Sequence, residues 1–198
     1  MGGRLAGAKT IVGGLVGGLT LFVVGFLFWA TPLSALAYSS VDDATNAQLQ
    51  AALAQGLTRS GTGTYMIPWP ATDRGTVLFG QGPVATIHFN ISGFPIADPG
   101  AIVSGLILAL ITGLILAIGL SFAGPRTFGE RARVIVLLSL AITLYLSLSN
   151  PIFNHHGWGY WIYSFIAGAA GFSAAGLVIA RWFLPNAAVA EVTTGTRH

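Results

Sequence analysis

Four stretches of this chain approach or reach the roughly 20 apolar residues that a bilayer's hydrocarbon core demands of a helix, and none contains Asp, Glu, Lys, Arg or His. They are residues 11–29, 101–123, 134–149 and 161–180; the third lies near the lower limit and can extend back through Ala132. Only 8% of the chain is charged and 54% is hydrophobic, against about a quarter charged in soluble domains. The expected fold class is a membrane all-α bundle of four transmembrane helices with a small extracytoplasmic α+β cap. The implied divisions are a cytoplasmic N-terminus and first helix over 1–30, the cap over 31–100, three helices over 101–184, and a cytoplasmic tail over 185–198.

Charge placement orients these runs. Arg4 and Lys9 precede the first, Arg126, Arg131 and Arg133 separate the second from the third, and Arg181 and Arg197 follow the fourth. Basic residues near membrane ends favour the cytoplasmic side. Both termini and the 124–133 loop are therefore expected inside, with 31–100 and the 150–159 loop outside. The outer segment also holds Asp42, Asp43, Asp73 and Asp98 beside Arg59 and Arg74. Charge so divided serves a lipid bilayer and leaves no nucleic-acid partner. Cysteine is absent, which removes disulfides, thiolate chemistry and cysteine-ligated metals. The start of the chain has elements of a secretory signal: Arg4 and Lys9, the apolar run, then Pro32 and "ALA" at 35–37. Its apolar run exceeds the 7–15 residues of a signal core, so a retained helix is expected. "MGGRLA" lacks the Ser or Thr of a myristoylation signal, because Ala6 stands there.

Small residues recur every fourth position inside the runs. Gly14 and Gly18, with Gly13 and Gly17 beside them, mark the first; Gly105, Ala109, Gly113 and Ala117 mark the second; Ala167, Gly171 and Ala175 mark the fourth. Such stripes let helix backbones approach closely. The third run has instead Ser139, Thr143 and Ser147, whose hydroxyls can bond their own carbonyls or a neighbouring helix. The first run, set apart by the long outer segment, is expected to be the one most free to present its glycine face to another membrane protein or to a second copy.

Within the outer segment, Ser39 or Ser40 is the expected N-cap of a helix, with early acids that suit its N-terminus and Gly56 as its stop. "SGTGTYMIPWP" reads as a turn leading into a short strand, and "GTVLFGQGPVATIHFNIS" as two strands, 75–79 and 84–91. A cap of this size has a marginal core of its own and needs the membrane surface or a partner.

This order of features resembles one group of proteins. A short apolar helix, an outer helix, "SGTGTYMIP", a later "GPVA" and a closing aromatic–glycine segment before a small-residue last helix are similar to a family of uncharacterised bacterial inner-membrane proteins. The resemblance implies topology and no established activity. The chain departs from that group at 153–161, which is more often tryptophan-rich there than histidine-rich.

The stretch "NPIFNHHGWGYW" at 150–161 invites two interpretations. Imidazole suits copper, zinc or haem iron, and His88, His155 and His156 share the outer side of the expected topology. Adjacent helical residues point about 100° apart, so chelation by His155 and His156 needs an extended turn, which Asn154 and Gly157 allow. Haem held between helices would need histidines inside the apolar runs. The simpler interpretation is a membrane interface: Trp158, Tyr160, Trp161 and Tyr163 stand where the last helix enters the bilayer, with Trp29 at the same level and Trp182 beside Arg181 at the opposite one. No cofactor is expected on that basis.

Other candidate chemistry is sparse. Asp42–Asp43 is expected to be helix N-terminal charge, Asp73–Arg74 a solvated turn, and Asn90-Ile91-Ser92 a chance glycosylation triplet. Nucleophile-elbow, Walker and HExxH motifs are missing. Apolar runs without ionisable residues argue against pumps and proton-coupled carriers, while a neutral or lipid-like ligand on the hydroxyl stripe stays open. The function expected is that of an integral membrane accessory or assembly protein, more a partner than an enzyme. A membrane-anchored metal or redox component using the outward histidines is the alternative. A ligand sensor would want a signalling domain that the short cytoplasmic segments do not supply.

Overall fold

The computed structural model describes residues 7–124 and 126–185. Arg4, Arg197 and almost the whole of the expected cytoplasmic tail lie outside them. The chain divides into two compact units, one formed by residues up to Ser39 with those from Pro99 onward, the other by Ser40–Asp98. The first unit therefore takes in 31–39 as well, because the 3-10 turn Pro32–Leu36 packs back on its helices.

The first unit contains α1 (Ala8–Trp29), α4 (Pro99–Phe122), α5 (Phe128–Phe153) and α6 (Trp158–Trp182). All four are long and apolar enough to cross a membrane. In lipid, apolar side chains gain nothing by leaving the tails, so these helices must meet through close packing. The contacts show how. A Cβ placed on Gly14 would stand 2.7 Å from the Cα of Leu114, and one on Gly18 would stand 2.5 Å from the Ala109 carbonyl oxygen. Advancing along α1 thus retreats along α4, so the two are antiparallel. Gly13 meets Phe183, Gly17 meets Ile179 and Gly171 meets Leu21, which sets α6 antiparallel to α1 as well. Ile135 against Gly176 and Thr143 against Gly168 place α5 antiparallel to α6.

α1 is therefore interior, where its glycine face was expected to be free. Successive helical residues lie about 100° apart, so Gly13 and Gly17 form one row and Gly14 and Gly18 another. Two small rows give α1 two neighbours, and both rows are occupied within the chain.

The up-and-down order also sorts the ends. The start of α1, the α4–α5 loop and the end of α6 share one end of the bundle, which carries Lys9, Arg126, Arg131, Arg133 and Arg181. Trp29, the α5–α6 loop and the start of α6 share the other. α5 begins well before the apolar run at 134. Thr127 and Glu130 form a reciprocal cap, with the Thr127 N–H donating to the Glu130 carboxylate at 2.9 Å and the Glu130 N–H to the Thr127 hydroxyl at 3.3 Å. Hydropathy reports how much of a helix sits in hydrocarbon, whereas the cap decides where its hydrogen-bond ladder begins.

The second unit contains α2 (Asp43–Leu57), β1 (Gly63–Ile67), α3 (Asp73–Gln81) and β2 (Ala85–Phe89). Asp42, and neither Ser39 nor Ser40, caps α2: its carboxylate accepts from the Thr45 N–H at 2.9 Å and the Thr45 hydroxyl at 2.8 Å. Those bonds, the backbone one foremost, hold its carboxyl below the usual aspartate range. Gly56 does not stop the helix, which ends in the 3-10 turn Thr58–Ser60 and at Gly61, whose φ of +90° only glycine adopts freely. β1 and β2 pair antiparallel, with Thr64 opposite His88.

The expected strand at 75–79 is instead part of α3. Thr72 caps that helix through the Gly75 N–H at 3.0 Å, and the Thr76 hydroxyl reaches back to the Pro70 carbonyl at 2.7 Å. A Thr–Asp start thus outweighs the strand preference of the following Thr-Val-Leu-Phe.

The α1–α4 crossing yields a direct test. Gly18→Ala forces its methyl into the α4 backbone and is expected to cost on the order of 1–3 kcal/mol. Gly25→Ala, on the same helix with nothing within 4 Å, should leave stability unchanged or slightly raised. Thermal unfolding of both variants in one detergent checks this. Equal melting temperatures would show that α1 does not sit against α4.

Candidate functional site

The histidine–aromatic stretch begins inside a helix. α5 runs through Pro151 to Phe153, so the loop expected over 150–159 narrows to 154–157. Proline cannot donate to the carbonyl four residues back, here that of Ser147. The Asn150 side-chain amide serves that turn instead, donating to the Leu146 carbonyl at 3.0 Å and the Ser147 carbonyl at 3.4 Å.

Asn154 closes the helix, and His155 follows with φ of +54°. That is the left-handed position after a helix C-terminus, most often taken by glycine. His156 stacks on Trp161, with centroids 5.8 Å apart and planes 12° from parallel. The two histidines are thus spent on a turn and on an aromatic face.

Around them the aromatic residues form a connected patch. The buried Tyr163 hydroxyl donates to the Phe28 carbonyl at 2.6 Å, satisfying a carbonyl in the last turn of α1 that has no partner within its helix. Trp29 lies edge-on to Tyr163 at 5.2 Å, Tyr160 lies 5.8 Å from Trp29 and 5.4 Å from Tyr38, and Tyr160 meets Trp161 at 5.1 Å. Trp29, Tyr160, Trp161 and Tyr163 therefore act together. Trp158 stays exposed outside this set, and Trp182 is exposed at the opposite end beside Arg181.

His88 lies in the other unit, where its Nδ1 shares a hydrogen with the Thr64 hydroxyl at 3.0 Å across the β1–β2 pair. Among the described residues, neither unit gathers three His, Cys, Asp or Glu side chains that could hold a metal ion. His88 thus sits on a strand pair of one unit, and His155 and His156 follow α5 in the other.

The packing residues are used within the bundle. Ala109, Gly113 and Ala117 are buried on α4, and a Cβ added to Gly171 would stand 3.0 Å from the Leu21 side chain. Gly105 is the looser member, where an added Cβ would meet only Phe22, at 3.8 Å. On α5 the Thr143 hydroxyl turns to the Ser139 carbonyl of its own helix at 2.6 Å, leaving its methyl to touch Gly168.

One residue escaped notice in the sequence. Arg131 is only 3% exposed; its Nη2 donates to the Gly124 carbonyl at 2.9 Å, while its Nε is buried without a partner. The signal was present: Arg131, Ile135, Ser139 and Thr143 are spaced by four and share one face of α5. Arg181 lies over the Phe128 ring, 5.6 Å from its centroid, tying the end of α6 to the start of α5.

No family model, curated protein or solved structure shows a significant match to this chain.

The turn at His155 is testable. His155→Asn, which tolerates left-handed backbone, should preserve the melting temperature. His155→Val should lower stability by about 1–2 kcal/mol, read as thermal unfolding in the same detergent. Equal losses for both, accompanied by release of a bound metal, would return these residues to ligand duty.

Proposed function

We propose that this chain is an integral membrane accessory or assembly protein of a bacterial inner membrane. Its bundle lies with the cationic end and both termini in the cytoplasm, and the Ser40–Asp98 unit lies on the outer side. The sorting of Lys9, Arg126, Arg131, Arg133 and Arg181 to one end supports that orientation through the cytoplasmic preference of basic residues. The ionisable residues of the four helices cluster at this end, which speaks against a proton path through the bundle.

The observation that carries the partner reading is the surface of the outer unit. Gly75 is its single buried residue, whereas Trp69, Val77, Phe94 and Ile96 are exposed. A lone two-stranded sheet is at best marginal in water, and exposed apolar groups on this scale mark interaction surfaces. Each of the two strands also keeps one edge unpaired within the sheet, where an incoming strand can add main-chain hydrogen bonds. With both glycine rows of α1 already filled, the partner surface moves from the first helix to this unit. Its occupant is the outer portion of another membrane protein.

Two measurements address this. The chain has no cysteine, so single cysteines report cleanly on sidedness. Cysteine at Gly129 should be shielded in intact cells from a membrane-impermeant thiol reagent, and cysteine at Thr62 or Asn154 should react; the reverse pattern would invert the orientation.

For the partner, a photo-crosslinking residue at Trp69 or Phe94 should yield a discrete protein adduct that disappears when Ile96→Ser is added. Adducts with lipid alone would show that this surface leans on the bilayer and would remove the assembly reading.

A further inference from the structure

α4 packs chiefly on α1, and α5 on α6, which leaves a groove of about 260 Å³ between α4 and α5. Ile115 and Leu120 of α4 line it with Val134 and Leu138 of α5, and Phe172 of α6 completes the lining. All the α4 and α5 residues here belong to the half of the bundle nearer its cationic end. Its lining is mostly apolar side chains, which suits a hydrocarbon chain.

Two of the three hydroxyls lining the groove are turned to their own helices. Thr143 donates to the Ser139 carbonyl at 2.6 Å and Thr112 to the Leu108 carbonyl at 2.8 Å, each within its own helix. Polarity begins one turn further, toward the cationic end. Arg131 precedes Ile135 on the residue row that lines the groove, and it is buried with its Nε unpartnered. Arg126 and Arg133 stand on the same short segment. The acid on this segment, Glu130, interacts with Arg126 and Arg133, whereas the electrostatic neighbour of Arg131 is another cation, Arg126. A hydrocarbon slot thus leads toward a buried guanidinium that Glu130 does not balance.

We propose that this groove holds one acyl chain of an anionic phospholipid from the surrounding bilayer, with the lipid phosphate held by Arg131 and Arg126. Basic pockets between membrane helices recognise anionic head groups in this manner. The inference goes beyond the partner reading and requires only that the four helices lie in lipid.

The full chain, stripped of lipid in detergent, is titrated with phosphatidylglycerol or phosphatidylcholine of identical chains, and bound lipid is counted by native mass spectrometry. Phosphatidylglycerol should be retained in preference to phosphatidylcholine at one lipid per chain. Arg131→Gln should weaken phosphatidylglycerol about fivefold, the contribution of one basic residue facing an anionic lipid surface. Ile115→Trp, a change at an exposed position on the rim of the groove, should weaken both lipids.

If Arg131→Gln fails to fold, Arg126→Gln with Ile115→Trp supplies the same two arms. Equal retention of the two lipids would overturn the head-group assignment. Indifference to Ile115→Trp would overturn the groove as the site, and so would a change of oligomeric mass in that variant. Displacement of the lipid by inorganic phosphate alone would show that the arginines bind phosphate and that the acyl chain contributes nothing.

Discussion

Backbone-to-backbone contact between α1 and α4 is the constraint on which the bundle rests. Lipid offers no hydrophobic reward for joining two helices, so the gain must come from atoms brought close. Gly14, Gly18 and Gly113 have no side chains to hold the helices apart, and the backbone of the facing helix lies where their Cβ atoms would be. The second glycine row of α1 then seats α6, and the small residues of α6 seat α5. Each placement depends on the one before it. α5 stands furthest from the founding contact, and the space between it and α4 is the groove that remains.

The two ends of the bundle solve different problems. At the aromatic end, polar atoms are satisfied by neighbours already present: Tyr163 takes a carbonyl of α1, Asn150 serves the turn that Pro151 interrupts, and His156 lies flat on Trp161. At the cationic end the Thr127–Glu130 cap closes the start of α5 on itself, yet Arg131 keeps a buried donor without an acceptor. Unsatisfied buried donors are costly. The contrast places the bundle's unmet chemical demand beside its arginines, whereas the histidines look more conspicuous in the sequence.

The helices were legible because length and hydropathy are local properties, and so were the small-residue stripes, whose spacing is that of a helix face. What spacing did not reveal was how many faces a stripe provides. Gly13, Gly14, Gly17 and Gly18 read as one motif in a line of letters and as two surfaces on a cylinder, and only the second description makes α1 central. The Ser40–Asp98 unit was harder because its elements are short. Thr72 and Asp73 start a helix over residues whose side chains favour a strand, and Asp42 takes the cap from two nearby serines. In both cases the side chain that caps the first turn decides where the helix begins. The histidines stood out for composition, whereas the left-handed backbone at His155 that follows α5 was not legible in the letters.

The interior position of α1 carries a consequence for biogenesis. Of the four helices this one is made before the others, and its two neighbours in the bundle emerge only after the whole Ser40–Asp98 unit and, for α6, after two further helices. During that interval both glycine rows face lipid with nothing to grip. The arrival of α4 closes one row and creates a helix pair; the other row waits for the last helix. Insertion therefore has a built-in order of completion, and α6, which seals α1 and anchors α5, finishes the bundle only once nearly all of it has been synthesised.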